Sequence, residues 1–252
     1  MSTHWIIGAT HGIGRAVAEA ALQRGEHVIA SGRDTAALAE LTAAYPALCQ
    51  ALPLDITDQA AIETVVSKLS TPLASVQVYA GTYTPTAVAE AVWHDTLKTI
   101  AVNLVGLLGV VQAVLPKLRA QAAQGIGVQL VLCGSVAGFV GLPKGQPYSA
   151  TKAALLNFCQ SLRAEELAHA ARTNSALIDV RIINPGFVKT RLTAKNSFAM
   201  PFVMEPAVAA TAIWRGLNTR KFEINFPKPM VLIMKLLGNL PNILYFALAK
   251  RM

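Results

Sequence analysis

Seven short apolar runs recur along the chain, each ending at or near a glycine, a proline or a polar turn. They are THWIIG (3–8), HVIASG (27–32), ALCQALPL (47–54), SVQVYAG (75–81), GVQLVLCGS (127–135), ALIDVRIINPG (176–186) and KFEINFP (221–227). Between them lie stretches with apolar residues at helical spacing, among them GRAVAEAALQRG (14–25), DTAALAELTAAY (34–45), DQAAIETVVSKL (58–69) and SATKAALLNFCQSLRAEELAHAA (149–171). Runs that are apolar throughout, rather than alternating, read as strands buried on both faces, and helices between them read as crossovers. The pattern predicts an α/β fold: one doubly wound domain around a central parallel sheet of about seven strands, with ligands at the carboxyl ends of the strands.

The 252 residues suit a single domain of this kind, and no linker divides them. Hydrophobic residues make up 53% and charged ones 14%, which excludes a disordered chain and calls for a large core, subunit contacts or a membrane-facing patch. The net charge of +8 comes from scattered basic residues without a stripe or interleaved aromatics, so nucleic acid is not the expected partner. Cys49, Cys133 and Cys159 and the five histidines lack metal-ligand spacing, so no metal is expected, and the cysteines read as buried thiols in a reducing cytoplasm. The N-terminus enters a strand at once, without a basic-then-apolar leader.

The first strand runs into IGATHGIGRAVAEA, with Gly8, Gly12 and Gly14 at the strand–helix junction. Glycines there allow tight torsions and close approach, and leave the amides of Thr10 to Gly14 free to face a pyrophosphate at a helix N-terminus. Arg33 follows the second strand, where a basic group favours a ribose 2′-phosphate and an acidic one opposes it. Asp34 competes for that place but also reads as the cap of the next helix.

The spacing Gly8-x3-Gly12-x-Gly14 resembles the glycine loop of the short-chain dehydrogenase/reductase family, with Ile7 in place of the usual threonine. The resemblance extends to YAG at 79–81, where Tyr79 replaces an asparagine, and to NPGFVKT at 184–190. It also covers the ordered set Asn103, Ser135, Tyr148 and Lys152, matching the family's Asn-Ser-Tyr-Lys. It implies a Rossmann-fold domain over 1–228 that binds NADP(H) by preference, NAD(H) also being admissible. The implied cofactor contacts are Gly8, Thr10, His11, Gly12, Ile13, Gly14, Arg33, Asp55, Ile56, Ala80, Gly81, Tyr148, Lys152, Pro185, Gly186, Val188 and Thr190. Tyr148 is implied as the acid/base, Lys152 as the group that tunes it and holds the ribose, Ser135 as an oxyanion donor and Asn103 as a proton-relay residue.

Phe187, Phe198 and Phe202 follow the Pro185–Gly186 turn and are candidates for an apolar substrate pocket. Residues 229–252 form a hydrophobic extension interrupted by Lys235 and Pro241. It reads as two short amphipathic helices packed on the domain, on a second subunit or on a membrane surface. The expected activity is hydride transfer between nicotinamide and a carbonyl or secondary alcohol of an apolar, lipid-like small molecule. The expected enzyme is a cytoplasmic homodimer or homotetramer with peripheral membrane contact as an option. A nucleotide-binding redox sensor or a membrane-surface lipid-binding protein on the same fold is the alternative.

Overall fold

The computed structural model describes residues 1–69 and 72–250. Its elements alternate as the pattern requires: β1 (Thr3–Ile7), α1 (Gly12–Leu22), β2 (His27–Ser31), α2 (Thr35–Ala44), β3 (Cys49–Ala51), α3 (Gln59–Lys68) and β4 (Ser75–Val78). Then follow α4 (Trp93–Ile100), α5 (Gly106–Ala123), β5 (Val128–Cys133), α6 (Tyr148–Thr173), β6 (Ile178–Pro185), α7 (Pro206–Leu217), β7 (Glu223–Phe226), α8 (Lys228–Gly238) and α9 (Asn242–Ala249). The seven strands are parallel in the order β3-β2-β1-β4-β5-β6-β7. The chain winds outward from β1 to β3, returns to β4 and continues to the other edge. The reversal leaves a crevice beyond the carboxyl ends of β1 and β4, where a doubly wound sheet receives its ligand.

Side chains of one sheet face, including Trp5, Ile7, Val76, Leu130 and Ile182, pack with Leu107, Val110 and Val114 of α5. Those of the other face, including Ile6, Val28, Val131 and Ile183, pack with Val17 of α1 and Ile213 of α7. This two-sided burial is why the strands read as unbroken apolar runs. The 93–123 stretch is apolar and long enough to cross a bilayer, but it runs along the sheet with Leu107, Val110, Val114 and Leu118 fully buried. A π-helical turn at Ala101–Val105 joins α4 to α5 and carries Asn103. Such turns are uncommon and often fall at functional positions.

Two local readings are refined by the structure. ALCQALPL shortens to a three-residue strand, although Leu52 and Leu54 still donate to Ala30 and Gly32 at 2.9 and 3.0 Å on either side of Pro53. Asp34 caps α2 through the Ala37 amide (3.1 Å), and Asp58 caps α3 through Ala61 (3.0 Å). The tail forms two helices separated at Pro241. Arg251 lies outside the described residues.

Candidate active site

The crevice is a cleft of about 400 Å³. Every expected cofactor residue lines it, as do Ser135, Tyr148 and Lys152 of the catalytic set. Asn103 stands behind this lining, fully buried. Phe187, Phe198 and Phe202 lie outside the cleft: Phe187 and Phe198 meet edge to face with centroids 5.8 Å apart, and Phe202 is half-exposed.

The glycine loop closes on itself. Gly8 has φ +86°, and a Cβ there would stand 2.7 Å from the Ala80 nitrogen; one on Gly14 would stand 2.2 Å from the Gly8 oxygen. Side chains at either place would push β1, α1 and the 79–81 segment apart. Helix α1 starts with no side-chain cap and no acid in its first turn, so its first amides lack an intrahelical or capping partner and are suited to an anion. The loop therefore fits a pyrophosphate. Ile7, in the usual threonine position, is buried core.

At the adenosine end Arg33 is exposed, 3.9 Å from Asp55. Asp55 itself holds the Thr57 amide and hydroxyl at 2.9 and 2.8 Å. His11 Nε2 lies 2.8 Å from both Asp34 Oδ2 and Arg191 Nη1. One nitrogen cannot donate to the carboxylate and accept from the guanidinium at once, so the ring's tautomer decides which of the two pairings forms. Asp34 is held below the usual carboxylate range by the Ala37 amide first and by His11 second. Arg15 is engaged with Glu19 and the Ala37 carbonyl.

At the chemical end Ser135 accepts a hydrogen bond from the Ala137 amide at 3.1 Å and lies 3.5 Å from the Pro185 oxygen. Tyr148 opens α6 and is partly buried, its ring 5.0 Å from that of Tyr83. Enclosure of the phenol raises its pKa, and the neighbouring Ser135 hydroxyl pulls the other way. Lys152, one turn on, is buried; its Nζ donates to the Cys133 carbonyl at 2.7 Å and stands 5.6 Å from the Tyr148 ring centre. Burial lowers the lysine pKa. Asn103 accepts from the Thr82 amide at 2.7 Å and donates to the Thr82 carbonyl at 2.8 Å, so its amide clamps the segment after β4.

Residues not singled out in sequence also meet here. Arg191 and Lys195 line the cleft from the loop after β6, and Lys195 donates to the Tyr83 carbonyl at 2.8 Å. Their basic character in KTRLTAK was visible, but nothing local indicated that the loop folds back over the glycine turn.

A sheet of this order with an anion cradle at its switch point, and a buried lysine beside a tyrosine at the same cleft, defines a class of nucleotide-dependent oxidoreductases. The description "short chain dehydrogenase" matches residues 3–200 of this sequence. An uncharacterized oxidoreductase of Myxococcus xanthus (strain DK1622) is 32% identical over 256 residues, covering 99% of this chain and 97% of that one. A short chain dehydrogenase from Burkholderia cenocepacia J2315, solved with NADP, superposes with a TM-score of 0.83 at 23% identity, covering 98% of this chain and 97% of that one. One from Burkholderia phymatum, solved with NAD, gives 0.80 at 20% identity over 93% and 92%. At these identities the structural likeness concerns the fold. The chain belongs to the short chain dehydrogenase family, and is an NAD(P)-dependent oxidoreductase.

Proposed function

We propose that the protein is an NADP(H)-preferring carbonyl reductase or alcohol dehydrogenase, with Tyr148 as the group that moves the proton. The observation that carries this reading is that Ser135, Tyr148 and Lys152 line the same cleft as the glycine cradle. When bound, the nicotinamide dinucleotide supplies or accepts the hydride. During reduction, negative charge grows on the carbonyl oxygen, and the Ser135 and Tyr148 hydroxyls donate to it; a positioned donor at such an oxygen is worth about 10²–10³ in rate. Tyr148 then gives up its Oη proton, and in oxidation takes it back. The Lys152 ammonium beside the ring favours the phenolate that this leaves. Asn103 keeps the 80–82 segment against the site, as a positioning residue.

Preference for NADP(H) is supported by exposed Arg33 at the end of β2 and by Asp34, whose carboxylate already serves Ala37 and His11. Related folds carry NADP or NAD, so the preference rests on these residues. Phe187 and Phe198 on the loop after β6, with Tyr83 across from it, favour an apolar substrate. The exposed Trp93 and Leu97, one turn apart on α4, with exposed Val105 at the end of the π-helical turn, offer a face for a second copy. The three free, buried thiols suit a reducing, cytoplasmic setting.

The test is NADPH consumption against a panel of ketones and aldehydes, repeated with Tyr148→Phe. Turnover should fall by about 10²–10⁴-fold, the usual scale of lost general acid–base catalysis, with NADPH binding nearly unchanged. Full activity in the variant would overturn the assignment.

A further inference from the structure

The net charge of this protein is concentrated around one end of the sheet. Three of the segments that leave the carboxyl ends of the strands on the substrate side are 134–147 after β5, 186–205 after β6, and 227–250 after β7. Lys144 belongs to the first; Lys189, Arg191 and Lys195 to the second; Lys228, Lys235 and Lys250 to the third. Glu205 is the single acid in all three, so they account for most of the +8, and the rest of the chain is close to neutral. Not all of this charge is free: Lys189 pairs with Glu205 at 3.1 Å, and Lys235 with Glu223 at 2.8 Å. Lys144, Lys228 and Lys250 are exposed.

The same end carries an apolar face. Helix α8 turns Met230 and Met234 onto Val136, with Phe139 and Phe187 packed beside them. Its other side presents Leu232 and Leu236, 61% and 59% exposed. In α9, Ile243 and Phe246 are 80% and 62% exposed, while Ala249 is buried and Tyr245 donates to the Gly141 carbonyl. The helices thus sit on the loops that follow Ser135 and Gly186. Phe187, packed beside Met230 and Met234, meets the half-exposed Phe198 of the β6 loop edge to face, and Phe202 further along that loop is also half-exposed.

Exposed leucines and phenylalanines on short helices, framed by cations with almost no acids, match an anionic bilayer: apolar side chains enter the acyl boundary and lysines meet the head groups. A second copy would bring the same positive charge against itself, and an acidic protein surface would leave the apolar side chains without a matching solvent. We propose that α8, α9 and the β6 loop dock the mouth of the cleft onto an anionic membrane surface, so that a carbonyl lipid reaches Tyr148 from the bilayer. The lipid substrate rests on the carbonyl-reductase reading above; the docking does not.

The experiment is sedimentation of the intact protein with phosphatidylcholine vesicles, with or without phosphatidylglycerol, at low and high salt. We expect at least a tenfold higher partition onto the anionic vesicles, reduced by salt, and at least a tenfold loss in Leu236→Glu/Phe246→Glu. Both positions are exposed, and an unchanged circular dichroism spectrum and NADPH affinity will show that the fold is intact. No binding to anionic vesicles, or equal binding by the double variant, would overturn the docking. So would a double variant that changes the oligomeric state in gel filtration while the parent ignores vesicles, which would assign the face to a second copy. For orientation, brominated lipid should quench the tryptophan added by Phe198→Trp beyond any quenching of the parent; sedimentation without that added quenching would overturn the mouth-down placement. None of these readouts depends on turnover, so an inactive protein that sediments would refute the reductase reading alone.

Discussion

The Tyr79 hydroxyl donates a 2.6 Å hydrogen bond to Gln77 Oε1, two residues back along the fourth strand. Gln77 Nε2 donates to Ser75 Oγ at 2.8 Å, and Ser75 Oγ lies 2.7 Å from His4 Nδ1. A polar thread therefore runs through the otherwise apolar sheet, from the cleft to its opposite end. Tyr79 also adjoins the glycine loop, its Cβ 3.1 Å from where a side chain on Gly14 would begin. Tyr79→Phe removes the donor and leaves the buried Gln77 carbonyl unpaired, which costs about 1–3 kcal/mol. Urea unfolding should show that loss as a lower midpoint at an unchanged slope. An unaltered midpoint would mean that the thread contributes nothing.

The far end of that thread predicts an acid-sensitive step. His4 is buried with its Nε2 3.1 Å from Glu26 Oε2, out of line for a hydrogen bond. Burial depresses its pKa, against the opposing pull of Glu26. Below the ordinary histidine pKa of about 6.5 the unfolded chain binds a proton that the folded chain resists, so stability falls as pH drops from there toward the depressed folded value. His4→Gln should flatten the thermal-melting profile between about pH 6.5 and 5. A variant that loses stability with acid as steeply as the parent would remove His4 from the account.

Cofactor selectivity separates Arg33 from Arg191. On the proposed preference for NADP(H), Arg33→Ala would delete a charge-assisted contact to the 2′-phosphate, worth about 1.5–3 kcal/mol, so NADPH should weaken about 10- to 100-fold while NADH stays within about threefold. Arg191 lines the cleft 2.8 Å from His11 of the glycine loop, the proposed seat of the pyrophosphate common to both cofactors. Arg191→Ala should weaken NADPH and NADH alike. Fluorescence titration with both nucleotides decides, and equal losses in Arg33→Ala would refute the preference for NADP(H).

The architecture was legible because burial on both sheet faces forces unbroken apolar runs, and a glycine loop can serve only where a strand meets a helix. The cleft-lining residues follow from the same logic: Ser135 lies just past the end of β5, Tyr148 and Lys152 share a helix face, and Pro185 ends β6 with Gly186 directly after it. Long-range loop contacts were not legible. Arg191 meets His11 across 180 residues, and Lys195 meets Tyr83 across 112, with no periodicity to signal either. Nor did the sequence indicate that Asn103 would spend its amide on Thr82, since a buried asparagine announces only that it needs partners.

The tyrosine–lysine pair predicts opposite pH responses in the two directions. Enclosure raises the Tyr148 phenol above its ordinary value, and the Ser135 hydroxyl offsets part of this. At neutral pH the acid form dominates, which is the form that donates in reduction. Reductive kcat/KM should therefore be level through neutrality and fall only at alkaline pH, as the proton to be donated is lost. Oxidation needs the phenolate, so its kcat/KM should rise with pH, about tenfold per unit, until the phenol titrates. Lys152→Met withdraws the ammonium that favours the phenolate, and should move the oxidative curve to higher pH and lower its value at pH 8. Stopped-flow hydride-transfer rates in both directions check this. An oxidative profile flat from pH 7 to 10 in the parent would show that some other group carries the proton, and an unshifted Lys152→Met profile would confine the lysine to binding.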